Sequence, residues 1–177
     1  MAEEKKEVWL SYLALTTVIF AVCATLSTFK GGGFSTRSVM SQSQASDQWA
    51  YFQAKSIKSY LYQIQKETLD IKLQDSAQSS ETTVNMLKEK IADYRKKVEK
   101  YEQEKSEIQE KAKQLEIARD EASKHSQAFG MAVIFLQIAI LLSSIAGLLK
   151  KKALWYGGMA TGLIGVVCFA NGFLLFL

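Results

Sequence analysis

The sequence predicts an all-α membrane protein: three transmembrane helices, with an extramembrane antiparallel helical hairpin, coiled-coil-like, between spans one and two. Three observations lead there. Residues 8–29, 128–149 and 153–177 carry no charged side chain. Nearly all the charge lies between the first two, with 17 Lys/Arg and 15 Asp/Glu in residues 30–127. There is no proline, and no glycine between Phe34 and Phe129, so both main helix breakers are missing from that polar stretch.

Residues 1–7 form a tail that mixes acids with lysines, and it reads as cytoplasmic. The apolar run 8–29 is long for a signal-peptide core, and no small-x-small cleavage site follows it, so it reads as a retained anchor. "FAVC" before Ala24 has the outline of a lipoprotein site, but Val22 suits such a cysteine poorly. A helix rises ~1.5 Å per residue and crosses the ~30 Å hydrocarbon layer with about 20 residues, so 8–29, 128–149 and 153–177 each suffice. The loop 150–152 is wholly basic: Lys150, Lys151 and Lys152. Such clusters stay on the cytoplasmic side. The amino terminus is then cytoplasmic and the hairpin lies on the outer side of a multi-pass protein, which in a bacterium is the periplasmic side. Trp9, Tyr12, Trp155 and Tyr156 fall near the cytoplasmic span ends, where amphipathic rings settle. Cys23 and Cys168 lie within spans, where ordinary packing is expected rather than a disulfide framework.

Residues 30–44 read as a glycine-containing linker, with Gly31–Gly33 giving a flexible exit from span one. No Lys-Ser/Thr follows these glycines and no strand precedes them, so they do not read as a phosphate-binding loop. Residues 45–127 are the hairpin, with a turn near 74–81 in the polar "QDSAQSSETT". Its return half shows a seam at Val84, Leu87, Ile91, Tyr94, Val98, Tyr101, Lys105, Ile108, Ala112, Leu115, Arg119 and Ala122. Steps of three and four alternate throughout, the period of a left-handed coiled coil. Asp93–Lys97, Glu107–Lys111 and Asp120–Lys124 are acid-to-base pairs at i,i+4, each worth ~0.3 kcal/mol on a helix surface.

The outgoing half shows its own seam, Ala50, Ala54, Ile57, Leu61, Ile64, Thr68 and Ile71. If its helix starts near Ser43 it is ~45 Å long against ~70 Å for the return, so the linker must climb or the long helix must lean. The aromatics around it form two faces. Trp49, Phe52 and Tyr60 join Ile57, Ile64 and Ile71 on one; Tyr51, Tyr62, Leu69 and Leu73 make a nearly opposite stripe. A hairpin partner covers one face, and the second stripe is expected to meet a neighbouring subunit. The expected interface residues are therefore Trp49, Tyr51, Phe52, Tyr60, Tyr62, Leu69, Leu73, Tyr94 and Tyr101. In the spans, Gly158, Gly162 and Gly165 should let helix backbones approach, while the amides of Gln137 and Asn171 hydrogen-bond neighbouring helices or line a pore.

Little points to chemistry. The one histidine, His125, sits just outside span two, and no His/Cys/Asp/Glu cluster has metal-ligand spacing. No catalytic residue, cofactor or metal is expected, and the chain does not read as an enzyme. The spans hold no Asp, Glu, Lys, Arg or His, which argues against a proton relay. Lysines in the insert alternate with acids, so nucleic acid is not an expected partner.

"DQWAYFQAKSIK", "YEQEKSEIQEKAKQLEIARDEA" and "FLQIAILLSSIAGLLKKKALWYGG" resemble the bacterial membrane family called domain of unknown function 4337 (DUF4337). The resemblance runs from span one to the end, and Trp49 to Lys55 is its most specific piece. The amino terminus departs from the His-rich start of other members. The resemblance implies a bacterial inner-membrane location and brings no activity, cofactor or catalytic residue. The expected role is a self-assembling membrane scaffold or organising protein. Alternatives are a channel or transporter component, or a coiled-coil assembly regulator of an envelope process. The last is similar in layout to polysaccharide co-polymerases, whose proline-rich stretch this chain lacks. Expected partners are the lipid bilayer, other copies in a homo-oligomer, and a membrane or envelope protein.

Overall fold

A computed structural model describes residues 8–75 and 80–176. The tail 1–7 and the centre of the expected turn, 76–79, lie outside the described residues. All regular structure among the described residues is helical: α1 (Val8–Gln74), α2 (Glu81–Leu149) and α3 (Lys152–Leu174). Each contains a stretch long and apolar enough to cross a membrane by length and composition.

Residues 30–44 are not an extended linker; α1 runs through them without a break. Three glycines cost about 1 kcal/mol each in a helix relative to alanine, but no proline removes a donor here, and tertiary contact offsets the rest. Gly31 is such a contact. A Cβ built on it would stand 3.0 Å from the Cβ of Phe129, and Ser126 Oγ donates to its carbonyl at 3.1 Å. With that stretch helical, α1 has 67 residues and α2 has 69. The expected mismatch of lengths disappears.

The chain divides into two compact units, Met1–Met40 with Ala118–Leu177, and Ser41–Ile117. In the first, the core gathers Phe20 and Ala24 of α1 with Ala132, Leu136 and Ala139 of α2, and Cys23, Met159, Cys168 and Phe169 pack against it. Both cysteines are free thiols. Four glycines of α3 are buried, each against a named neighbour. A methyl group on Gly162 would overlap the Phe20 ring, and one on Gly165 would lie 2.8 Å from Leu136 Cγ. One on Gly172 would lie 2.6 Å from Phe129 Cδ1, and one on Gly158 3.1 Å from the Ala139 carbonyl oxygen. Close backbone approach of this kind replaces hydrophobic burial where the surroundings are apolar.

Phe129 is fully buried and central: Phe173 meets it edge-on at 5.0 Å, with Phe169 and Phe34 near 6 Å. His125 stacks on Phe34 at 4.4 Å, and its Nδ1 lies 2.8 Å from the Gly172 carbonyl, so the proton sits on Nδ1 in that bond. Outward from this packing, Val18, Val22, Ile134, Leu141, Leu163 and Val167 are exposed, an aliphatic surface around the bundle.

Between α2 and α3 only Lys150 and Lys151 intervene. Lys150 has φ 51°, and the Lys151 N–H bonds the Ala146 carbonyl at 3.2 Å, closing the last turn. Left-handed backbone costs an L-residue roughly 1–2 kcal/mol that glycine avoids. Lys150→Gly is expected to raise the thermal midpoint in detergent by a few degrees, about 1 kcal/mol; an unchanged or lower midpoint would contradict this account of the turn.

In the second unit, stretches of α1 and α2 lie side by side, and the paired numbers rise along one helix as they fall along the other. Trp49 meets Glu116, Lys55 meets Glu104, Ser59 meets Glu102 and Tyr62 meets Tyr94 and Tyr101. Close approach is allowed by small residues, since Ala45, Ser59 and Ala112 are all but inaccessible.

Candidate interaction surface

Each helix presents a seam to the other, and their chemistry differs. On α2, all twelve seam positions from Val84 to Ala122 are at least half-buried. On α1, the expected seam is the wrong one. Ala50, Ala54, Ile57, Leu61, Ile64, Thr68 and Ile71 are all exposed, with Ile57 and Ile64 at 60% and Ile71 at 61%. The covered face instead runs through Ser41, Ala45, Gln48, Phe52, Lys55, Ser59, Tyr62, Lys66, Leu69 and Leu73. Its steps also alternate four and three, offset by two residues and so nearly opposite.

Within this unit the packed face is set first by small residues that let the helices approach, Ser41, Ala45 and Ser59. Polar partners on α2 then complete the choice. Trp49 Nε1 donates to Glu116 Oε1 at 2.9 Å, and Ser59 Oγ donates to Glu102 Oε1 at 2.7 Å. Lys55 Nζ pairs with Glu104 across the helices, while within α2 Lys105 Nζ pairs with Glu102 at 2.9 Å. Of the expected i,i+4 pairs, Asp93–Lys97 forms at 2.8 Å, whereas Asp120 turns to Arg119 at 2.8 Å.

The predicted interface residues separate accordingly. Tyr62 lies within the pair, stacked on Tyr101 at 5.8 Å and tilted against Tyr94 at 5.6 Å, with Lys97 5.1 Å above its ring. Leu69 and Leu73 are half-buried on the same side. Trp49 and Phe52 do not join the isoleucine face; they meet edge-on at 5.6 Å and turn toward α2, with Lys105 5.6 Å over Phe52. Tyr51 stays exposed beneath Lys55, and Tyr60 is exposed. The stripe expected to face a neighbouring subunit is therefore largely covered by the chain's own α2, and the isoleucine face is the open one.

In the bundle, Gly158, Gly162 and Gly165 contact α1 or α2 of the same chain, as described above. Asn171 is half-buried, and its carbonyl accepts the Leu175 N–H at 2.8 Å. Gln137 does not pack between helices of this chain. Positions 132, 136, 139 and 143 take the inner face, which turns Gln137 outward among exposed Ile134, Ile138 and Leu141. At one end of the bundle Trp9 and Trp155 approach to 6.3 Å, Tyr156 lies 5.4 Å from Trp155, and Trp155 Nε1 donates to Thr16 at 3.3 Å.

The electrostatics of the helix pair are local. Lys105 and Ser59 hold the Glu102 carboxyl below the usual carboxylate range, and Lys55 does the same for Glu104. Glu104, and then Tyr51, hold Lys55 above the ordinary lysine range. A depressed carboxylate contributes stability above its ordinary value of 4.5 and loses it as pH falls through its lower folded value. The raised lysine contributes below 10.5 and loses that contribution only as pH rises past its folded value. The helical signal is thus expected to melt at a steady temperature near neutral pH and progressively lower as pH drops below 4.5. Glu102→Gln/Glu104→Gln should flatten part of that acid limb by circular dichroism, with Asp120 beside Arg119 carrying another part. An identical acid limb in both proteins would contradict the assignment.

Among the described residues no group of three His, Cys, Asp or Glu side chains could hold a metal ion. What the chain presents is surface on long helices, and the class it defines is an all-helical protein with three helices long and apolar enough to cross a membrane. The family model described as Domain of unknown function (DUF4337) matches residues 9–175, and the chain belongs to that family. No curated protein and no solved structure matches it.

Proposed function

We propose that this protein is a non-enzymatic scaffold or organising element that self-assembles in a bacterial inner membrane. In this reading the three apolar stretches span the bilayer. The Ser41–Ile117 unit is an extramembrane antiparallel helical hairpin, coiled-coil-like, on the periplasmic side, and the amino terminus is cytoplasmic. Lys150–Lys152 support that orientation, because short basic loops stay inside. The ring cluster of Trp9, Trp155 and Tyr156 supports the spans themselves, since such rings settle at either membrane–water boundary.

One observation carries the self-assembly. The open face of α1 is apolar, and it lies beyond the uncharged run 8–29, where lipid tails would not cover it. Exposed apolar patches of several hundred Å² mark interaction sites. Light scattering on the detergent-solubilised protein tests the reading: several copies per particle are expected, and a strict monomer at working concentrations would sink it. Partners are then the bilayer and other copies, with a membrane or envelope protein as a further candidate.

A second reading, a channel or transporter component, has one observation in its favour. Gln137 is a polar amide on an otherwise aliphatic outer face, where it could line a pore between copies. Reconstituted liposomes without ion or solute flux would remove that reading.

A further inference from the structure

We propose that copies of this chain dock on one another in parallel and in register through the open face of α1, residues 50–71, as a bundle of more than two strands. The inference rests on the self-assembly reading and adds which face meets, in which direction and in what number. Four observations carry it.

The open face keeps a coiled-coil period over three heptads, with steps of four and three from Ala50 to Ile71. In that frame Ala54, Leu61 and Thr68 take a, while Ile57, Ile64 and Ile71 take d. Isoleucine holds all three d positions, and at Leu61, the one leucine among the a positions, that combination shifts preference from two strands toward three or four. The face is also large enough. Ile57, Tyr60, Leu61, Ile64 and Ile71 are each 55–61% exposed, a patch of the same order as the ~800 Å² that one partner gives a standard interface.

Direction follows from insertion and from charge. Copies inserted in one bilayer with one topology run α1 the same way, so an antiparallel pairing is closed to them. In a parallel bundle each g position faces e of the next heptad on a neighbour. The three such pairs are Gln53 with Lys58, Tyr60 with Gln65 and Glu67 with Lys72. One is an ion pair and none sets like charges together. All six residues are exposed, and Glu67 accepts a 3.3 Å hydrogen bond from Gln63 on its own helix.

The test uses the full chain with Cys23→Ala and Cys168→Ala, carrying one new cysteine at Ala54, Leu61 or Thr68. Membranes are treated with a short bis-maleimide; Gln103→Cys, on exposed α2, is the control. Comparable covalent dimers at all three positions and few at Gln103 are expected. Positions 54 and 68 lie about 21 Å apart along the helix, so bridging at Leu61 alone would mean antiparallel pairing and would overturn the proposal. Ile57→Glu/Ile64→Glu is expected to reduce the particle mass at least threefold, to that of one copy. Both side chains are exposed in the single chain, so folding should survive, which circular dichroism checks. Glu67→Lys should weaken assembly, and Glu67→Lys/Lys72→Glu should restore it; no restoration would overturn the charge pairing. If the parent protein is monomeric, the self-assembly reading falls and this one with it. If the parent assembles and the Ile57→Glu/Ile64→Glu variant does so equally, only the present inference fails.

Discussion

Gly165→Leu is expected to lower the thermal midpoint of the detergent-solubilised protein by roughly 6–12 °C, the shift that about 3 kcal/mol produces in a chain of this size. The first added carbon already meets two things that cannot move aside. Leu136 Cγ stands 2.8 Å from that position and the Leu136 backbone nitrogen 3.0 Å. Overpacking a filled core costs about 1–3 kcal/mol, and a leucine brings three more carbons into the same gap. Gly157→Leu is the matched control, because nothing lies within 4 Å of its Cβ position. It should be neutral, or slightly stabilising through helix propensity. If the two variants melt together, α3 does not pack as described.

Phe129→Ala should cost about 2–3 kcal/mol in the same assay, less than the ~3–5 kcal/mol typical of a water-soluble core. The discount follows from the proposed membrane placement: with neighbouring lipid as apolar as the core, lost packing counts but lost transfer from water counts little. Phe129 is fully buried between Gly31 and Gly172 and touches three other phenylalanines. The same geometry predicts a coupling. Gly172→Ala alone places a methyl 2.6 Å from the ring and should be costly, yet in the Phe129→Ala background it should be tolerated. Additive midpoint losses would contradict a direct contact.

Much of the architecture was legible because it rests on crude signals. Three long uncharged runs give three helices with membrane-crossing length, and the return seam from Val84 to Ala122 is visible because most of its residues are apolar or aromatic. The outgoing helix misled for a physical reason. Ile57, Ile64 and Ile71 are the strongest apolar repeat there, and a hydrophobic period points to whichever face is most apolar. The face that packs is set instead by small residues, Ser41, Ala45 and Ser59, and by polar groups that find partners only across the pair. Its signal was the heptad spacing of small residues at Ser41, Ala45 and Ser59, which hydropathy does not register. Gly31–Gly33 misled in the same way. Their composition suggests an extended linker, while Gly31 meets Phe129, nearly a hundred residues away in sequence. Gln137 could be placed only once the inner positions of α2 were known.

Lys55 has a consequence beyond its bond to Glu104. A seam that repeats every seven residues can slide, since a shift of one heptad returns each side chain to an equivalent position. In the observed alignment Lys55 stands beside a carboxylate. Sliding α2 by seven residues would bring up position 97 in one direction and position 111 in the other, and both are lysines. The three alignments therefore differ in sign at this point: attraction in one, repulsion between two ammonium groups in the other two. A partly exposed ion pair adds little to stability on its own. Its larger effect is to make the wrong alignments costly, so that this pair of helices closes in one position, as a key with a single notch turns one lock.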